Sequence, residues 1–111
     1  NANLVWSNFD NASASGAKLT GASITDSSFN RTHLEGADLT GANLGGSKMG
    51  NVNLRTANLT GADVSYTDLT AANLSGTILT NANLTATKTG LLYGAILRPD
   101  FEHMPFRQPC F

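Results

Sequence analysis

The chain has little with which to do chemistry. Cys110 is its single cysteine, which excludes an internal disulfide and leaves no thiolate pair for a metal. The two histidines, His33 and His103, lack companions at a metal-ligand spacing. Only 14% of residues are charged and the net charge is -1, with no basic patch interleaved with aromatics, so a direct nucleic-acid binder is not expected. No run approaches the ~20 apolar residues of a membrane span. A phosphate-binding loop of the Walker type is also absent. These gaps predict a protein that is not an enzyme and carries no cofactor or metal. At the front, Asn1 enters without an initiator Met, a charged leader or an apolar signal segment. Upstream residues or processing are therefore expected.

What the chain does have is a period. Every fifth residue from Leu4 to Leu84 is apolar: Leu4, Phe9, Ala14, Leu19, Ile24, Phe29, and so on without a break. Two residues before each stands a small one, as in Ala37-Asp38-Leu39-Thr40-Gly41 and Ala57-Asn58-Leu59-Thr60-Gly61. Five is neither the 3.6 of an amphipathic helix nor the 2 of an ordinary strand, so internal repetition sets the architecture.

The motif A-(D/N)-L-x-x resembles the pentapeptide-repeat family over residues 1 to 86. The resemblance implies an all-β fold: a right-handed, four-sided parallel β-helix with one pentapeptide per side and about twenty residues per coil. It points the central residue and the small one inward and the other three to solvent. A narrow tube can hold four large side chains per coil only if its other inward positions are small. Val52 is the largest departure, and the inward Ser and Thr residues need backbone partners. Gly16, Gly21, Gly36, Gly41, Gly46, Gly61 and Gly76 recur two positions after the centre, where a corner would tolerate dihedrals that other residues resist.

Charges test the twenty-residue register. Lys18 falls beside Asp38, Glu35 beside Arg55 and Lys48 beside Asp68, and no like-charged pair in the repeat has that spacing. Such exposed pairs are worth only ~0–1 kcal/mol each. The inward columns then read Leu4, Ile24, Leu44, Val64, Leu84, then Phe9, Phe29, Met49, Leu69, then Ala14, Leu34, Leu54, Leu74, and last Leu19, Leu39, Leu59, Leu79. Ala14 is the thin spot.

After Leu84 the pattern changes. Phase five fails at Thr89 and returns three residues out of step in Gly94-Ala95-Ile96-Leu97. Residues 87–111 are therefore expected to form a bulge at Thr87 to Thr89, then either a last partial coil or a short irregular or helical cap. Pro99, Pro105 and Pro109 end in a tail. Phe101, Met104, Phe106 and Phe111 make that tail too apolar to be freely solvated, so it packs on the last coil or docks on a partner.

Several candidate sites are weighed against blander readings. His33, between Ser13 and Asn53, reads as a surface histidine. The column Asn3, Ser23, Asn43, Asp63, Asn83 could suggest a calcium ladder, but the glycine-rich nonapeptide of calcium-binding β-rolls is lacking and a plain polar ladder is expected. Thr20, Thr40, Thr60 and Thr80 suggest ice binding, yet their companions Lys18, Asp38, Asn58 and Ile78 are irregular. Of five N-x-S/T sequons, three follow automatically from the repeat. Trp6 and Tyr66 occupy the second position after the centre in one column, with Asp26 and Gly46. They are candidate partner contacts, as are Phe101, Phe106 and Phe111. For Val5 and Trp6 a cap from upstream sequence is the competing explanation.

Two function classes remain. One is a structural or protein-interaction module, a rigid rod serving as an accessory subunit or domain of a larger assembly. The other is the DNA mimicry that some members of the resembled family use against gyrase-type topoisomerases. Mimicry needs a dense negative surface. Asp10, Asp26, Glu35, Asp38, Asp63 and Asp68 are offset by Lys18, Arg31, Lys48 and Arg55, leaving about minus two over the rod, which favours the interaction module. Family association alone suggests the periplasm or thylakoid lumen as a compartment.

Overall fold

The computed structural model describes residues 2–89 and residue 95. Over 2–89 the chain winds as a four-sided parallel β-helix. Residues twenty apart pair in parallel all along it, from Asn3 with Ser23 to Asp63 with Asn83. Extended backbone on each side is so short that most pairings are single bridges. Among the described residues only β1 (Asp68–Leu69) and β2 (Lys88–Thr89) form strands, paired Asp68 with Lys88 and Leu69 with Thr89.

The pentapeptide 38–42 shows why the motif folds this way, because each of its five amides has a defined acceptor. Asp38 N donates down to Ala17 O at 2.9 Å, while Leu39 N and Gly41 N donate up to Asn58 O and Thr60 O at 2.7 and 2.9 Å. Ala42 N closes the corner on Leu39 O at 2.9 Å. The remaining amide, Thr40 N, has no backbone carbonyl within reach and donates to Asp38 Oδ1 at 3.1 Å. The Asp or Asn before each centre is thus an Asx cap on its own corner. Asn3, Asn8, Asn43, Asn53, Asn58, Asp63, Asp68, Asn73 and Asn83 repeat that bond to the amide two residues on.

Each corner is a turn with positive φ at its third residue, the geometry of a type II turn. All seven glycines named above adopt it, with φ between 66° and 74°, as expected for corner positions. Ten other residues share the conformation, among them Trp6 (64°), Thr56 (60°) and Tyr66 (55°). For a bulky or β-branched residue this backbone is unfavourable, by roughly 1–2 kcal/mol in the left-handed region.

The inward columns stack as the sequence predicts. Leu39, Leu44, Leu54 and Leu59 are completely buried, and so is Val52, which fits because its column neighbours, Thr32 and Ala72, are smaller. In the first described coil Leu4, Phe9, Ala14 and Leu19 are only partly buried against the core. Phe9 and Phe29 stack with ring centroids 4.9 Å apart. The inward hydroxyls follow one rule: each donates to the carbonyl of a central residue one coil below, twenty-three residues back. Ser47 bonds Ile24 O, Thr67 bonds Leu44 O, Thr77 bonds Leu54 O and Thr87 bonds Val64 O, at 2.6–2.9 Å. No buried polar side-chain atom among the described residues is left without a partner.

One expectation is corrected. There is no bulge at Thr87 to Thr89. Thr87 is buried at the small inward position above Thr67, and Thr89 continues the column of Leu69. Threonine already fills the small inward position at Thr67 and Thr77, so Thr87 does not interrupt the coil. Thr89 breaks the apolar pattern but not the backbone register. The expected cap or further coil and the proline tail lie outside the described residues, except Ala95, which is half-buried against the core. No helix among the described residues is long and apolar enough to cross a membrane.

Candidate functional site

Trp6 and Tyr66 share one corner of the rod, with Asp26 and Gly46 on the rungs between. At coil spacings of ~4.8 Å, three rungs place the two aromatics roughly 14 Å apart along the axis. Trp6 is 78% exposed and Tyr66 70%, and these are the large exposed hydrophobics among the described residues. Their positive φ is what throws them outward. Phe101, Phe106 and Phe111 lie outside the described residues.

Beside Trp6 the rod has a shallow groove, lined by Trp6, Asn8, Asp26, Ser28, Gly46 and Lys48. Asp26 leans along the corner toward Gly46: a Cβ at Gly46 would meet Asp26 Oδ1 at 2.6 Å. A side chain there would swing the exposed Asp26 carboxylate aside, and the φ of 73° at Gly46 itself favours glycine. No ion pair or hydrogen bond engages the Asp26 carboxylate among the described residues.

That sets Asp26 apart from the other acids. Where Ser28 and Lys48 replace the usual Asx, side chains one coil below take over the capping. Asp10 Oδ1 accepts Ser28 Oγ at 2.5 Å and Asn30 N at 2.8 Å, and Asn30 Oδ1 accepts Gly50 N at 2.9 Å. The Ser28 hydroxyl, then the Asn30 amide and the nearby Arg31 and Lys48 charges, hold Asp10 below its ordinary pKa. Asp38 and Asp68 are lowered mainly by the hydroxyls and amides of Thr40 and Thr70. Glu35 is lowered first by its own backbone amide and then by His33.

The charge pairs expected from the twenty-residue register do stack on adjacent rungs, the backbone of Lys18 pairing with that of Asp38 and Lys48 with Asp68, but their side chains form no ion pair. The salt bridge among the described residues is a different one, His33 Nδ1 to Glu35 Oε2 at 3.5 Å. Long side chains on adjacent rungs gain little by closing in water, whereas His33 and Glu35 flank Leu34 on one side of the coil. Sequence reasoning missed this pair. Their spacing of two about a centre was the available signal, since both positions face outward on the same side. The column proposed as a polar ladder proves to be a set of corner caps: Asn43, Asp63 and Asn83 each hold an amide. Among the described residues no three His, Cys, Asp or Glu side chains converge as a metal site would require.

The faces differ in what projects at their edges. The side carrying Leu19, Leu39, Leu59 and Leu79 is bordered by Gly16, Gly36, Thr56 and Gly76 at one corner and by Gly21, Gly41, Gly61 and Asn81 at the other. The opposite corners carry Trp6, Asp26, Tyr66, Asn11 and Arg31. The projecting, chemically varied edge is therefore the one with the aromatics.

A solenoid with five residues per side, Asx-capped corners and a leucine-filled bore defines a β-helical repeat protein. Residues 1–36, 37–76 and 67–88 match the family profile of pentapeptide repeats, in eight copies, and the chain belongs to that family. No curated relative matches the sequence. Among solved structures, a pentapeptide repeat protein from the Arabidopsis thaliana thylakoid lumen superposes with a TM-score of 0.80 at 23% identity, over 91% of this chain and 71% of that one. One from Nostoc PCC 7120 gives 0.77 at 28% identity, over 86% and 78%. A third, from the cyanobacterium Cyanothece 51142, gives 0.64 at 31% identity, and the match covers 87% of this chain and 61% of that one.

Proposed function

We propose that the protein is a non-catalytic interaction module, a rigid β-helical rod serving as an accessory subunit or domain of a larger assembly. It meets a protein partner along the Trp6–Tyr66 corner and through the apolar tail bearing Phe101, Phe106 and Phe111. The observation that carries this reading is the aromatic pair. Both residues are held in left-handed backbone that disfavours bulky side chains, and both stand in solvent. Neither contributes to the core, whereas aromatics of this kind are enriched in interface centres because they bury large area at small entropic cost. Among the described residues the Asx side chains and inward hydroxyls are turned into the rod's own backbone, and the groove beside Trp6 is shallow and open to water, unlike the enclosed pockets that favour catalysis.

Replacing Trp6 and Tyr66 by Ala, or deleting residues 100–111, lowers recovery of the cross-linked partner from native extract, while Thr40→Ala leaves it unchanged. Equal recovery from all variants overturns the reading. The acidic-mimic alternative gains no support from the carboxylates, since Asp10, Asp38 and Asp68 are engaged by neighbouring hydroxyls and amides. Loss of binding on neutralising Asp38, Asp63 and Asp68 together, and in moderate salt, would restore that alternative.

A further inference from the structure

The groove beside Trp6 combines an aromatic wall with a carboxylate that the fold leaves unused. The other acids among the described residues are each engaged by an amide or hydroxyl of the rod, but Asp26 leans over the bare backbone of Gly46 with no partner among the described residues. Ser28 and Asn8 give the rest of the lining hydrogen-bonding rather than apolar character. Lys48, the one cation in the lining, pairs with Asp68 through its backbone only, makes no ion pair among the described residues, and its charge acts on Asp10. Neither Lys48 nor any other described side chain closes an ion pair with Asp26.

From this arrangement we propose that the groove receives an arginine side chain from the partner, the guanidinium lying against Trp6 and paired with Asp26. A planar guanidinium suits both surfaces at once: it stacks on an indole face and offers a fork of donors to a carboxylate. A purely apolar plug would leave Asp26 desolvated without compensation, and an acidic group would be repelled by it. Gly46 is part of the site because any side chain there pushes the Asp26 carboxylate aside. Tyr66, farther along the corner, extends the contact surface along the incoming segment. The proposal rests on the reading of Trp6 as a partner contact and gives that contact its chemistry.

Trp6 is the only tryptophan in the chain, so its fluorescence reports on the groove directly. The probe is a short acetylated and amidated peptide with a single arginine in a Gly-Ser background, compared with the same peptide carrying citrulline, the uncharged isostere. Saturable change in Trp6 emission with the arginine peptide and none with the citrulline peptide is expected, with binding in the millimolar range. Asp26→Asn weakens it about tenfold, and Gly46→Ala weakens it by displacing Asp26. Lys48→Gln strengthens it about two- to threefold by removing a like charge. Circular dichroism and thermal melting of each variant show that the rod is intact.

Equal binding of the two peptides, or indifference to Asp26→Asn in a folded variant, overturns the proposal. So does weaker binding in Lys48→Gln, which would mean that the groove takes a ligand of both charges. If Trp6→Ala abolishes partner capture while the arginine peptide gives no saturable signal, the cationic groove fails and the interaction module stands. If the peptide binds but capture ignores Trp6, the groove stands and the partner contact fails.

Discussion

The Thr67 hydroxyl donates to the carbonyl of Leu44 at 2.9 Å, twenty-three residues back and one coil below. Leu44 O already accepts the corner amide of Ser47 at 3.1 Å, so the threonine fills its second lone pair. The same bond recurs at Ser27, Thr32, Ser47, Thr77 and Thr87. A polar residue is thus admitted to the bore on condition that it ties two coils together.

Thr67→Val tests the worth of that tie, because it keeps the shape and removes the donor. The expected loss is about 1 kcal/mol, read as a lower midpoint in chemical denaturation with unchanged slope. A stabilised variant would mean that the bond contributes nothing beyond filling space.

The bore should bear most of the stability. Leu39→Ala and Leu59→Ala, both in the middle of the rod and completely buried, should each cost ~2–5 kcal/mol through the cavity left behind. Thr20→Ala, exposed on the same side, should stay within ~0.5 kcal/mol. Thermal melting distinguishes these outcomes, and equal losses would contradict the facing described above.

The Asx caps make a separate prediction. Asn58 Oδ1 accepts both the amide and the hydroxyl of Thr60, at 3.0 and 2.6 Å. Asn58→Ala leaves that half-buried amide without an acceptor and should destabilise by about 1 kcal/mol. Asn58→Asp keeps the acceptor, as Asp38 and Asp63 do in the same role, but stacks a second carboxylate on Asp38 and should recover only part of the loss. Paired denaturation curves of the two variants provide the check.

Acid should weaken the rod in a defined window. Asp10, Glu35, Asp38 and Asp68 are all held below their ordinary values by hydrogen bonds to the folded chain. Folding therefore favours their ionised forms, and this contribution is fully present above the unfolded carboxylate range of about 4. It is lost as pH falls through that range and the lowered folded values. The melting temperature should be flat from pH 7 to about 5 and decline below about 4. In Asp68→Asn, which retains an acceptor for Thr70, the decline should be shallower. An unchanged decline would assign the acid sensitivity to other groups.

Residue types at fixed spacing determine most of this protein. The five-residue period gives the columns Leu19, Leu39, Leu59, Leu79 and Ile24, Leu44, Val64, Leu84, because a β-helix that buries one large and one small residue per side leaves no freedom of facing. Register is equally legible, since a slip of one pentapeptide, to a spacing of twenty-five, would place Glu35 beside Asp10 and Asp63 beside Asp38. Corner glycines could be read because positive φ carries a known residue preference. The tertiary structure decided what has no local code. Whether Trp6 and Tyr66 tolerate left-handed corners depends on neighbouring rungs that hold their amides, Trp6 N to Thr25 O and Tyr66 N to Thr85 O. The substitution of Asp10 and Asn30 for absent caps at Ser28 and Lys48 needs side chains from the coil below, twenty residues away. Thr89 shows the same limit from the other direction: the apolar pattern ends there, yet the ladder to Leu69 continues, because backbone pairing and not side-chain identity carries the coil. The unpartnered Asp26 beside Trp6 likewise emerges only when the rungs are stacked, since a partner or its absence is a property of neighbours in space.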